Sequence, residues 1–105
     1  MNNIHVREAT KICFERYCYK FQKYLTDSEL ALCNEAIKSI NIYPIDKLSR
    51  WLGFIQGILI ERKATTIDAE RDFSREYFHE AYLKDGIEIP KTFDSKIKEN
   101  KNVQK

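Results

Sequence analysis

Arg71, Arg75 and His79 recur at every fourth residue, so on a helix they stand in one line along one edge. Two guanidinium groups and an imidazole on one face are able to hold a phosphate or a carboxylate through paired hydrogen bonds. Glu70 and Ser74 fall inside the apolar arc of the same helix, between Ile67, Phe78 and Ala81. A carboxylate in that position needs a cationic partner or must take up a proton. Arg50, Arg62, Arg71 and Arg75 are the candidate partners. Trp51 and Gln56, on the preceding helix, supply a ring able to stack on a base and an amide able to read one. Two arrangements compete. In the first, Glu70 pairs with an arginine inside a polar network that fastens the last helix to the one before it. In the second, Arg50, Trp51, Gln56, Glu70, Arg71, Arg75 and His79 form a concave site for a ligand or partner. The network is the expectation for Glu70, because ion-pair networks perturb their surroundings without being sites. Arg75 and His79 are expected to remain exposed and to touch a partner.

No catalytic constellation is recognisable. His79-Glu80 lacks the second histidine of a zinc-protease helix, and His5 stands alone. There is no glycine-rich phosphate loop, and no Ser or Cys carries a recognisable His–acid pair. Asp68, Glu70, Asp72, Glu76 and Glu80 are numerous, but acids alternating with Arg and Lys usually mark a solvated helix face. Cys13, Cys18 and Cys33 are odd in number and give neither a disulfide framework nor a zinc spacing; they are expected to be free and mostly protected. No catalytic residue, metal or cofactor is therefore assigned.

Four amphipathic segments position these residues. The first, from about Arg7 to Leu25, carries a stripe of Phe14, Tyr17, Cys18, Phe21 and Leu25, with Arg16, Lys20 and Lys23 away from it. The second opens at Thr26-Asp27-Ser28-Glu29, a capping sequence, and ends before Pro44. The third, from about Ile45 to Lys63, is apolar nearly all round, which predicts the central, buried helix, with Trp51 in its least exposed part. Gly53 and Gly57 lie on one face of it, where tight helix packing is expected to offset their cost in helix stability. The fourth opens at Thr65-Thr66-Ile67-Asp68, with Thr65 and Asp68 resembling a capping box, and stops at Asp85-Gly86. Ile87 and Ile89 are expected to lie on the body. The fold class is all-α: a compact single-domain bundle of about four helices over residues 1–90, followed by a flexible basic tail over residues 91–105.

The 105 residues fit one domain, and 43% hydrophobic with 32% charged residues is ordinary for a globular chain. Net charge is +2; residues 91–105 hold five Lys against Asp94 and Glu99, a local +3, which leaves residues 1–90 near −1. A nucleic-acid binder concentrates positive charge on one face, so nucleic acid is the least favoured partner, reachable only through the tail with Arg16, Lys20 and Lys23. No apolar run approaches the roughly 20 residues of a membrane span, and the first residues lack a secretory pattern. The expected location is the cytoplasm, with no membrane association.

The strings Leu48-Ser49-Arg50-Trp51-Leu52-Gly53-Phe54-Ile55-Gln56-Gly57 and Asp68-Ala69-Glu70-Arg71-Asp72-Phe73-Ser74-Arg75-Glu76-Tyr77-Phe78-His79 resemble small uncharacterised proteins of tailed bacteriophages, over residues 47–82. The resemblance implies an accessory protein made in an infected bacterium, of a kind that often binds and disables a host or defence protein. It transfers no catalytic residue. The leading expectation is a non-catalytic binder of a bacterial protein. The alternatives are a sponge-like protein for a nucleotide or other phosphorylated small molecule, using Arg71, Arg75, His79, Trp51 and Gln56, and a weak nucleic-acid binder.

Overall fold

The computed structural model describes residues 3–87 as four α-helices: α1 (Ile4–Lys20), α2 (Asp27–Lys38), α3 (Ile45–Glu61) and α4 (Ile67–Lys84). A short 3-10 turn (Gln22–Tyr24) follows α1. The basic tail expected from residue 91, and Ile89, lie outside the described residues.

Helix α1 occupies the centre. It packs against α2, α3 and α4, and α2 also packs against α3, whereas α3 and α4 make little direct contact. Val6, Ala9, Thr10, Cys13, Phe14 and Tyr17 are its buried residues. Three of them, Ala9, Thr10 and Cys13, are small, so neighbouring helices approach α1 closely, and the Thr10 hydroxyl is satisfied by donating to the Val6 carbonyl at 2.8 Å. This corrects the expectation that α3 is the buried helix. Only Leu48, Leu52, Ile55 and Leu59 of α3 are buried, on one stripe, while Phe54 is 54% exposed. Trp51 is half-buried. The first helix also ends earlier than its stripe suggests, at Lys20; Phe21 and Leu25 still reach the core from the turn that follows.

The termini follow local chemistry. Thr26 caps α2, accepting from the Glu29 N–H at 3.2 Å while Glu29 Oε1 accepts from the Thr26 N–H at 2.8 Å. Helix α4 is capped by Thr66, which accepts from the Ala69 N–H at 3.1 Å, and not by Thr65, whose hydroxyl is used elsewhere. At the other end of α4, Gly86 has φ +71°, the Gly86 N–H donates to the Leu83 carbonyl and the Ile87 N–H to the Tyr82 carbonyl. That pattern satisfies the last carbonyls of the helix, and Ile87 joins Val6, Ala9, Ala81 and Tyr82 in a small apolar cluster.

Long-range polar contacts fasten the elements together. The Asp85 carboxylate, at the end of α4, accepts from the first-turn N–H groups of α1, His5 at 3.0 Å and Val6 at 2.7 Å, and so acts as a cap supplied from the far end of the chain. Arg7 donates to the carbonyls of Ile40 and Tyr43 at 2.8 and 2.6 Å, holding α1 to the α2–α3 connection. Arg62 donates to both carboxylate oxygens of Glu29 at 2.6 and 3.0 Å and to the Tyr24 carbonyl at 2.7 Å, tying the end of α3 to the start of α2.

Candidate functional site: the cleft between α3 and α4

Because α3 and α4 both lean on α1 and barely touch each other, a cleft of ≈450 Å³ opens between them. Leu52, Phe78 and Tyr82 give it apolar walls. Ser49, Gly53 and Gln56 line the α3 side, and Arg71, Ser74, Arg75 and His79 the α4 side. Among the described residues the lining contains no carboxylate, and its charged groups are the two arginines, with His79 beside them. Arg71 is half exposed, with Nη1 4.0 Å from Asp68 Oδ1, a loose surface pair. His79 is exposed and Arg75 is half-buried.

Four of the seven residues singled out in the sequence thus meet in the cleft: Gln56, Arg71, Arg75 and His79. The other three lie outside its lining. Trp51 belongs to the seam between α2 and α3: its ring meets Tyr43 edge-on at 5.7 Å, and Lys47 Nζ sits 5.0 Å from the Trp51 ring centroid and 3.9 Å from that of Tyr43. Arg50 is exposed on the outer face of α3. Glu70 is 4% exposed and lies beneath α4 against α1.

The partner of Glu70 is Arg16, not any of the four arginines expected. Arg16 Nη1 donates to both Glu70 oxygens at 2.8 Å. Tyr17 donates to Oε1 at 2.6 Å and Thr65 to Oε2 at 2.7 Å. Burial pushes the Glu70 carboxyl up, but the hydrogen bonds from Arg16, Tyr17 and Thr65 outweigh it and hold the group below its ordinary value, as a carboxylate. Burial first, and then the neighbouring Glu70, push the Tyr17 hydroxyl far above its usual range, so it stays a donor. The Arg16 guanidinium also lies over the Phe73 ring at 4.3 Å and the Phe21 ring at 5.1 Å. The network therefore joins α4 to α1, and Arg16 faces inward instead of standing on a solvent face with Lys20 and Lys23.

Glycines 53 and 57 also differ from expectation. Both are exposed, and among the described residues a Cβ added at either would meet no atom within 4 Å, so none of the four helices packs against them. Cys13, Cys18 and Cys33 are free thiols. Burial pushes Cys13 and Cys33 up to about 12 and raises Cys18 as well, which keeps them protonated and poorly nucleophilic. Among the described residues no cluster of His, Cys, Asp and Glu is placed to hold a metal ion, and no helix is long and apolar enough to cross a membrane.

Of the apolar walls on α4, Phe78 reads in the sequence as an ordinary core position, on the arc with Ile67 and Ala81, and Tyr82 follows it one helical turn on. Nothing in their spacing announces that the facing helix stands away from them; that follows only from both helices docking on α1. Compared with known protein families, with curated proteins and with solved structures, the chain gave no match.

Proposed function

We propose that this chain is a non-catalytic binding protein whose α3–α4 cleft takes an acidic, amphipathic segment of a bacterial protein, as a phage-type accessory protein acting on a host or defence component would. One observation carries the reading: among the described residues the cleft joins apolar walls to Arg71, Arg75 and His79, with no carboxylate in its lining. A helix laid in such a groove would bury its apolar residues against Leu52, Phe78 and Tyr82 and set its Asp or Glu residues against the cationic edge. Desolvation within the groove makes each such pair stronger than on an open surface.

The experiment compares wild type with Arg71→Glu/Arg75→Glu as baits in bacterial lysate. The reading expects a stoichiometric protein retained by wild type and lost with the variant, with the cross-linked segment an acidic amphipathic helix. A partner retained equally by both, or one bound through a basic segment, overturns it.

A second reading has its own support. A volume of ≈450 Å³ lies within the roughly 300–1,000 Å³ of small-molecule sites, and two arginines with a histidine suit a phosphorylated ligand. Thermal melting with a nucleotide panel and sulfate separates the two: a shift in wild type, absent from Arg75→Gln, favours the small ligand. The nucleic-acid alternative has lost one of the cations it relied on, because Arg16 is committed to Glu70.

A further inference from the structure

The outer face of α3 carries a second surface, distinct from the cleft except where Gly53 borders both. Seen along the helix, Arg50, Gly53, Phe54, Gly57 and Glu61 form one exposed stripe opposite the buried stripe of Leu48, Leu52, Ile55 and Leu59, with Ile58 half-buried at its edge. An aromatic ring 54% exposed stands there between two glycines. Beside it runs a shallow groove of ≈390 Å³ lined by Gly53, Phe54, Gly57, Ile58, Glu61 and Arg62. Among the described residues neither Arg50 nor Glu61 has an ion-pair partner.

The order of residues along this stripe is self-complementary. Arg50 and Glu61, and Phe54 and Gly57, are two pairs that share one midpoint, between Ile55 and Gln56. Two copies of α3 laid antiparallel about a two-fold axis through that midpoint would set each Arg50 against the partner's Glu61 and each Phe54 over the partner's Gly57. Opposite charges meet at both ends, and each exposed aromatic ring meets a position with no side chain. A two-fold interface requires this reciprocity, since one patch must complement itself. A single face that alternates Arg, Gly, Phe, Gly and Glu about its own centre satisfies it without a second surface.

We infer that this face is the interface of a homodimer formed by antiparallel pairing of α3 with a second copy of the chain. The inference stands apart from the proposed function, because Arg50, Phe54, Gly57 and Glu61 lie outside the cleft lining. One helix pair falls at the small end of specific interfaces, so the association is a weak, concentration-dependent one.

Sedimentation velocity of the full chain from about 1 µM to about 1 mM tests it, with helicity checked by circular dichroism. Wild type should move from monomer to dimer across that range. R50E and E61R should each weaken the dimer by at least about tenfold, because each turns two attractive pairs into two repulsive ones. The double variant R50E/E61R should recover association to within about threefold of wild type, since the exchanged charges face each other again. Gly57→Gln should abolish the dimer by blocking the partner's Phe54 while raising the melting temperature of dilute monomer, because glutamine is the better helix former. Dimerisation lost on single charge reversal and restored by the exchange supports the pairing. A monomer at every concentration overturns it, as does a dimer indifferent to the single reversals, one that the exchange fails to restore, or one that survives Gly57→Gln.

Discussion

At the scale of single residues, Glu70 sets the terms for α4. Its carboxylate accepts from Arg16, Tyr17 and Thr65 and has almost no contact with water. Glu70→Gln keeps the shape but leaves Arg16, only 14% exposed, without its counter-charge. The expected loss is about 2–4 kcal/mol of unfolding free energy, near the lower end for a buried pair because the guanidinium still reaches solvent. Urea unfolding checks it, and a loss under about 0.5 kcal/mol would show that the pair contributes no more than an exposed one. The thiols form a second case. Cys13 and Cys33 are fully buried and held protonated, and Cys18 is the more accessible. Native protein near pH 8 should therefore label at Cys18 first, with Cys13 and Cys33 reacting only on unfolding; three thiols reacting together in native protein would contradict this. The anomaly at Glu70 was legible in the sequence, because helical spacing alone puts it among Ile67, Phe78 and Ala81. Its partner was not. Arg16 lies off the apolar stripe of its own helix, and only the way α4 lies on α1 turns that edge inward.

At the scale of elements, the helices and most of their ends follow from periodicity and capping residues, whereas their rank in the core does not. Helix α3 reads as buried because it is apolar nearly all round, yet its Phe54 is exposed and its Trp51, Ile58 and Ile60 are only half-buried. Helix α1 reads as an ordinary amphipathic segment, yet its Ala9, Thr10 and Cys13 admit three neighbours. Hydrophobicity measures how much a residue gains from burial, not how closely the next helix can come, and small residues score low on the first while deciding the second. Ile67, on the arc assigned to the core of α4, is 59% exposed because it lies in the first turn of the helix. The end of α3 supplies a prediction of its own. Lys63 has φ +62°, its N–H donates to the Ile60 carbonyl, and the Ala64 N–H donates to the Leu59 carbonyl. This is the same terminal arrangement that Gly86 provides for α4, but with a side chain in the left-handed region. Lys63→Gly should stabilise the fold by about 0.5–1 kcal/mol, the relief of the Cβ clash exceeding the added freedom of the unfolded chain. A lower urea midpoint for the variant would show that the lysine side chain contributes more than its backbone strain costs.

At the scale of the whole molecule, the bundle is joined by carboxylates that each bridge two elements. Glu70 links α4 to α1, Glu29 links the start of α2 to the end of α3, and Asp85 links the end of α4 to the start of α1. The hydrogen bonds from Arg62, and then that from the Thr26 backbone, hold Glu29 at about 2, well below its ordinary 4.5. Glu70 is lowered too, and so is Glu35, which accepts from Tyr43 and Ser39. A carboxyl whose pKa is lower folded than unfolded binds protons more readily in the unfolded chain. Its contribution is therefore complete above about 4.5 and declines as pH falls toward the folded value. All three groups act in the same direction, so the melting temperature should change little between pH 7 and 5 on their account and then fall steadily from about pH 4.5 to about pH 2. Glu29→Gln should be less stable than wild type at pH 7 and should lose part of that acid slope; Arg62→Gln, which removes the main cause of the lowered Glu29 value, should lose the same part. Melting curves of the three proteins across that range check the assignment. A wild-type profile flat down to pH 2.5, or variants with an unchanged acid slope, would mean that the bundle is held by its apolar contacts alone and that these carboxylates do no more than decorate the joints between helices.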